Sequence, residues 1–174
     1  MSGDLLIRPL VVDDLPQYKA LRDTMLALHP EAFTSDAASE RARPASSYAP
    51  RVGADRPEGG QFTLGAWLAG ELVGAVSCER EPRVKVRHVA HLTGLMVRPQ
   101  DRGQGIGRML LVTCIERARA VRGLEMLTLS VTATNTMASA LYAKLGFRRY
   151  GTLPRALKVD GEYHDKDLMV LDLN

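Results

Sequence analysis

The stretch Arg98-Pro99-Gln100-Asp101-Arg102-Gly103-Gln104-Gly105-Ile106-Gly107-Arg108 constrains this chain more than any other. Glycine recurs at positions 103, 105 and 107, so the backbone can take positive φ there and no Cβ obstructs an approaching ligand. Leu92–Val97, just before it, reads as an apolar extended run. Met109–Val121, just after it, has the spacing of an amphipathic helix. A helix start presents unpaired N–H groups and the positive end of its dipole. Strand, glycine loop and helix start together make an anion site, most naturally for a phosphate.

The rest of the composition narrows the setting. A chain of 174 residues is expected to form one domain over 1–174 with a self-sufficient core. Its formal charge of +3 suits an acidic ligand and suits a solvated basic surface equally well. The arginines are dispersed and aromatics are only 5%, which argues against a nucleic-acid platform. Cys78 and Cys114 lie in apolar segments and read as small core residues in a reducing compartment. With no signal-peptide pattern and no apolar run of membrane-spanning length, the expectation is a cytoplasmic protein without a membrane segment.

Leu5–Leu10 reads as a short strand ending near Pro9. Asp13 or Asp14 can cap the following helix, with Pro16 tolerated in its first turn. Leu15, Tyr18, Leu21, Met25 and Leu28 give that helix one apolar face, and Pro30 stops it. Residues 31–60 turn to Ala, Ser, Arg, Pro and Gly without a sustained period. They read as a long excursion with one or two helical turns, either a substrate-side lid or a spacer. Phe62–Leu68 and Leu72–Cys78 form a hairpin around Ala69-Gly70-Glu71, and Glu79–Arg87 is a charged connection. His88–Val97 is a third strand, where Gly94 marks a bulge or a close approach. Gly123 caps the helix after the glycine loop. A strand over Met126–Val131 precedes a helix that starts at Thr134 or Asn135 and ends at Gly146. Extended segments at Phe147–Tyr150 and Ala156–Val159, a turn at Asp160-Gly161 and a closing strand at Leu168–Leu173 complete the order. The pattern is α+β, a sheet covered by helices in a single domain.

Two common phosphate loops do not fit. A Walker loop ends Gly-Lys-Ser/Thr, whereas Gly107 is followed by Arg108 and Met109. A dinucleotide fingerprint counted from Gly103 or Gly105 puts its last glycine on Arg108 or Leu110. What remains is Arg-x-x-Gly-x-Gly over residues 102–107, directly after a strand ending Met96-Val97-Arg98-Pro99. That pattern resembles the GCN5-related N-acetyltransferase (GNAT) family. A second element, Asn135-Thr136-Met137-Ala138-Ser139-Ala140-Leu141-Tyr142-Ala143-Lys144-Leu145-Gly146-Phe147, resembles that family's N-x-x-A-x-x-L-Y-x-x-x-G-F segment at the expected distance. The tail from Pro154 to Asp165 is similar to one subgroup of it.

The resemblance implies a mixed, mostly antiparallel central sheet flanked by helices, and acetyl-coenzyme A as cosubstrate with no metal. The backbone of Leu95, Met96 and Val97 would pair with the pantetheine arm. Gly103, Gln104, Gly105, Ile106, Gly107 and Arg108 would hold the pyrophosphate, with charge from Arg102 or Arg108. Asn135 has two jobs open to it, helix cap and cofactor contact. A backbone N–H near Val97 would serve the oxyanion. Tyr142 matches the family's general acid. Its hydroxyl, with a reference pKa of about 10 against about 8.5 for a thiol, is protonated at neutral pH and has a proton to give. The implied activity is transfer of an acetyl group to a primary amine by direct attack in a ternary complex.

A lysine-like acceptor would need about 4–5 kcal/mol to reach its neutral form at pH 7, an α-amine only about 1 kcal/mol. Relatives that acetylate ribosomal-protein N-termini carry a glutamate where this chain has Ser130. His91 is therefore the tentative base, with His88 and Glu79 as alternatives. His88 and His91, three apart on a strand, face opposite sides, which makes a shared metal site a poor fit. The competing reading is a non-catalytic acyl-coenzyme A-binding sensor of the same fold, against which Tyr142 argues. The acceptor, a small molecule or peptide amine, and the oligomeric state, a homodimer among the options, stay open.

Overall fold

Six consecutive residues are buried in Gln61–Leu68 and seven in Glu71–Arg80, so these strands need a covering layer on each face. The computed structural model, which describes residues 4–53 and 59–174, supplies both layers. In chain order the elements are β1 (Leu6–Pro9), α1 (Leu15–Leu28), α2 (Ala37–Arg41), β2 (Gln61–Leu68), β3 (Glu71–Arg80) and β4 (Val89–Val97). They continue with α3 (Ile106–Arg119), β5 (Met126–Thr132), α4 (Thr136–Lys144), β6 (Arg148–Val159) and β7 (Glu162–Asp172). The seven strands form one sheet in the order β1-β2-β3-β4-β5-β7-β6. Every neighbouring pair is antiparallel except β4 with β5. The expected mixed, mostly antiparallel sheet flanked by helices is what forms.

The parallel pair requires a crossover, and α3 provides it. Leu110, Leu111, Cys114 and Ala118 of α3 are fully buried against Val76, Cys78, Leu127 and neighbours on one face. On the other face Tyr18, Leu21 and Met25 of α1 pack with Tyr48, Trp67 and Met96. Both cysteines are buried free thiols. Among the described residues no helix is long and apolar enough to cross a membrane.

Several boundaries differ from the sequence reading. Helix α3 begins three residues early, because Gly105 at φ 77° is its N-cap and residues 106–108 already form its first turn. Asp14 does not cap α1. Its carboxylate instead accepts the Val11 N–H and both arms of Arg8 at 2.7 and 2.9 Å. The segments at Phe147–Tyr150 and Ala156–Val159 belong to one edge strand from Arg148, with Pro154 accommodated where register shifts and Arg155 takes φ 52°. The closing strand starts at Glu162, straight after the Asp160-Gly161 turn.

The 31–60 excursion, of which residues 54–58 lie outside the described part, holds α2 and two 3-10 turns, Pro30–Ala32 and Ala45–Val52. It is anchored by charge. Glu40 accepts from Arg22, Arg43 and Tyr48, and Tyr48 meets the Tyr18 ring edge-on at 5.3 Å. Burial works to raise the Glu40 carboxyl pKa, but the bonds from Tyr48 and Arg22 outweigh it and bring it down to about 2. The stability this carboxylate gives is full above the unfolded-state value of about 4.3 and is lost as pH falls toward about 2. Glu40→Gln should therefore flatten the fall in unfolding free energy across that acid window, read by urea titrations at stepped pH. An unchanged slope would remove Glu40 as the anchor.

Candidate active site

The site begins where pairing stops. β4 and β5 pair only at Val89–His91 against Met126–Thr128. Past His91, Gly94 at φ 61° carries a bulge, and β4's register with β3 shifts between Ala75 and Ser77. β5 continues instead along β7 as far as Thr132. The strands part, and the gap between them is a narrow cavity of about 110 Å³ lined by Leu92, Thr93, Gly94, Ser130, Val131 and Tyr142. On one side it joins a groove of about 650 Å³, on the other a cavity of about 220 Å³. Ala32 and Phe33 line all three spaces. The strap that holds them is clipped down by Thr132 Oγ1 donating to the Glu31 carbonyl at 2.6 Å and Lys166 Nζ donating to Thr34 Oγ1 at 2.6 Å.

The large groove gathers the expected cofactor residues. Leu95, Met96 and Val97 form one wall, and Arg102, Gly103, Gly105, Ile106, Gly107 and Arg108 form its end. Gly103 and Gly105 have φ of 79° and 77°, and a Cβ at either would meet nothing within 4 Å, so a ligand can reach the backbone itself. Gly107 is helical, and its missing Cβ leaves room beside Val97 and Leu141. The first bond of α3 is Met109 N–H to the Gly105 carbonyl, at 3.0 Å. The N–H groups of residues 106–108 thus have no acceptor among the described residues, and no side chain caps them. That cradle of open backbone donors fits a pyrophosphate.

Gln104 is exposed beside the loop and Ile106 is a core residue. Arg98 is committed elsewhere, paired with Asp101 and with Glu71. Arg102 spans the groove mouth, donating to the Val97 carbonyl at 3.2 Å and to His29 Nε2 at 2.9 Å.

Asn135 does cap α4, its side chain accepting the Ala138 N–H at 3.2 Å, and it lines the groove as well. Tyr142 lies at the passage, 8% exposed, with its ring edge against Phe147 at 5.9 Å. Its hydroxyl has no hydrogen-bond partner among the described residues, and burial pushes its pKa up to about 12.

The smaller cavity holds the candidate bases unevenly. Glu79 and Ser130 both line it, and Glu79 accepts from Thr93 Oγ1 at 3.1 Å. His91 lies instead in a neighbouring cleft of about 420 Å³. Both its ring nitrogens are engaged, Nδ1 with Thr128 and Nε2 with Glu81 at 3.1 Å. His88 precedes β4, six residues from Gly94, or about 20 Å along an extended chain. Sequence reading missed Arg22, Arg51 and Lys166, which line the smaller cavity. No local pattern marks them, because only the tertiary fold brings α1, the excursion and β7 to one place.

The sequence profile of the acetyltransferase (GNAT) family matches residues 21–147. An L-methionine sulfoximine/L-methionine sulfone acetyltransferase of Pseudomonas aeruginosa is 36% identical over 78 residues, 45% of each chain. A mycothiol acetyltransferase of Salinispora tropica is 32% identical over 143 residues, 82% of this chain and 43% of that protein. The chain thus spans less than half the length of these curated relatives. Among solved structures, a GNAT-family acetyltransferase from Streptococcus pneumoniae superposes with a TM-score of 0.84 at 26% identity, covering 97% of this chain and 99% of that one. A Salmonella typhimurium structure solved with acetyl-coenzyme A gives 0.85 at 21% identity, covering 99% and 95%.

Gly105→Val puts a β-branched residue at φ 77°, where an L side chain is strained by roughly 1–2 kcal/mol. It also screens the open N–H groups. Coenzyme A affinity should fall at least tenfold by calorimetry, whereas Gly161→Val, equally strained in a distant turn, should leave it unchanged.

Proposed function

The chain belongs to the acetyltransferase (GNAT) family, and on that premise we propose that it transfers the acetyl group of acetyl-coenzyme A to a primary amine within a ternary complex. The observation that carries the reading is the passage between β4 and β5. It has a cofactor-sized groove at one mouth, a charged cavity at the other, and the free Tyr142 hydroxyl between them. Acetyl-coenzyme A would supply an acyl group already activated as a thioester.

The open N–H groups of residues 106–108 and the loop Gly103-Gln104-Gly105 hold the pyrophosphate, with Arg108 and Arg102 adding charge. Leu95, Met96 and Val97 present backbone groups to the pantetheine amides, and an N–H near Val97 takes the charge that develops on the carbonyl oxygen. The amine's N–C bond forms as the C–S bond breaks. The surplus proton on nitrogen leaves toward Glu79, directly or through water, and the departing sulfur draws on the Tyr142 hydroxyl.

The energetics of that last contact define its form. A phenol at about 12 facing a thiol at about 8.5 makes full proton transfer uphill by roughly 5 kcal/mol. Tyr142 therefore acts as a hydrogen-bond donor to the charge growing on sulfur and keeps its proton, and coenzyme A leaves as a thiolate that takes its proton from water. Glu79 is preferred to His91 as base because it lines the cavity at the passage, whereas both His91 nitrogens are occupied in the neighbouring cleft.

Tyr142→Phe should lower kcat at least tenfold in a thiol-release assay while calorimetry finds acetyl-coenzyme A affinity nearly intact; equal turnover would sink the donor role. Glu79→Gln should lower kcat at least tenfold in the same assay with acetyl-coenzyme A affinity nearly intact. An unaltered kcat would return the proton to another acceptor.

A further inference from the structure

The named acceptors of the relatives differ, so the acceptor has to be sought in the cavity itself. Gly94 is open on the side facing it. A Cβ built there would meet Nη1 of Arg22 at 3.6 Å and Nη1 of Arg51 at 3.8 Å, with no other contact beyond its chain neighbours within 4 Å. One empty point above the bulge is thus flanked by two guanidinium nitrogens. Arg22 is only 3% exposed. Its Nε is taken by Glu40 and its Nη2 by Ser35, but Nη1 has no acceptor among the described residues. Arg51 Nη1 gives one hydrogen to the Tyr18 hydroxyl at 2.8 Å and keeps a second to offer, while its Nε stands 3.8 Å from Glu79, too far for a hydrogen bond.

The charge balance points the same way. Arg22, Arg51 and Lys166 line the cavity against one carboxylate, Glu79. Glu40 lies behind Arg22 and is already spent on Arg22, Arg43 and Tyr48. Burial lowers the Lys166 pKa, as for a cation lacking a full counter-charge. Buried cations with incomplete partners are costly, and an anion brought by the ligand offsets that cost.

Resting on the acetyl-transfer reading above, we infer that the acceptor is an α-amino acid whose carboxylate is held between Arg22 and Arg51 over Gly94. The position sets the spacing. Gly94 and Tyr142 line the same narrow passage, so an anion over Gly94 lies close to where the thioester reacts. An amine two bonds from its carboxylate can reach that carbonyl, whereas a long spacer would carry it past. The amine of a free α-amino acid titrates above a peptide α-amine, because its own carboxylate stabilises the ammonium, so the base still has a proton to take. A polypeptide N-terminus, lacking a free carboxylate at that spacing, leaves both arginines uncompensated.

The test compares L-amino acids with their carboxamides and their decarboxylated amines, by thiol release with acetyl-coenzyme A and by calorimetry on the protein loaded with coenzyme A. The expected result is a kcat/KM at least tenfold higher for the acids. Arg51→Gln should collapse that ratio toward one, and Arg51→Lys should restore part of it, with acetyl-coenzyme A affinity checked in each variant. Amides or simple amines acetylated as well as the acids would overturn the acidic acceptor while leaving acetyl transfer standing. Arg51-dependent binding of the acids without turnover would uphold the recognition and overturn the transfer reading. No binding and no turnover by any acid would overturn the acidic acceptor alone.

Discussion

Two neighbouring parallel strands that pair at three positions and then separate impose a condition on everything around them. Backbone N–H and C=O groups in the middle of a sheet must find partners, and past His91 the facing edges of β4 and β5 do not supply them to each other. β7 pairs with β5 from Met126 to Thr132 and β3 pairs with β4 through the bulge at Gly94, but each lies on the far edge of its partner and leaves the parted edges open. What is left is a stretch of strand edge at Leu95–Val97 facing an open groove, where on the proposed reading the pantetheine arm takes the place of a strand. Every other feature of the site, from the glycine loop to the Glu31–Ser35 strap, is arranged around that unfilled place.

The wall opposite is built by charge as much as by apolar burial. Glu40 sits almost fully buried with Arg22, Arg43 and Tyr48 around it. Removing one partner from such a cluster leaves an uncompensated buried charge and costs more than the pair contributes. The cluster therefore ties α2 and Ala45–Val52 to α1 in one arrangement. It also holds two arginines where water would otherwise draw them outward.

The sequence was most legible where the physics is local. Positive φ at Gly103 and Gly105, the bulge at Gly94 and the cap at Asn135 each follow from one residue type in one short context, and the two motifs named the fold between them. Boundaries were less legible. Periodicity alone started α3 at Met109, because the glycines that begin its first turn carry no apolar signal. Pro154 made β6 look like two pieces, although an edge strand tolerates a proline. Least legible was the acceptor side. Arg22 and Arg51 look like ordinary surface arginines until Tyr18, Glu40 and the sheet close round them, and His91 read as a free base until Thr128 and Glu81 took both its nitrogens.

Helix α1 touches both ends of the passage. His29, at its C-terminal end, receives Arg102 from the glycine loop, while Arg22, seven residues earlier, projects over Gly94. Two turns of helix separate them, about 10 Å of a rigid rod. The rod cannot shift at one end without moving the other. The groove and the cavity over Gly94 thus rest on one rigid support that runs outside the sheet altogether.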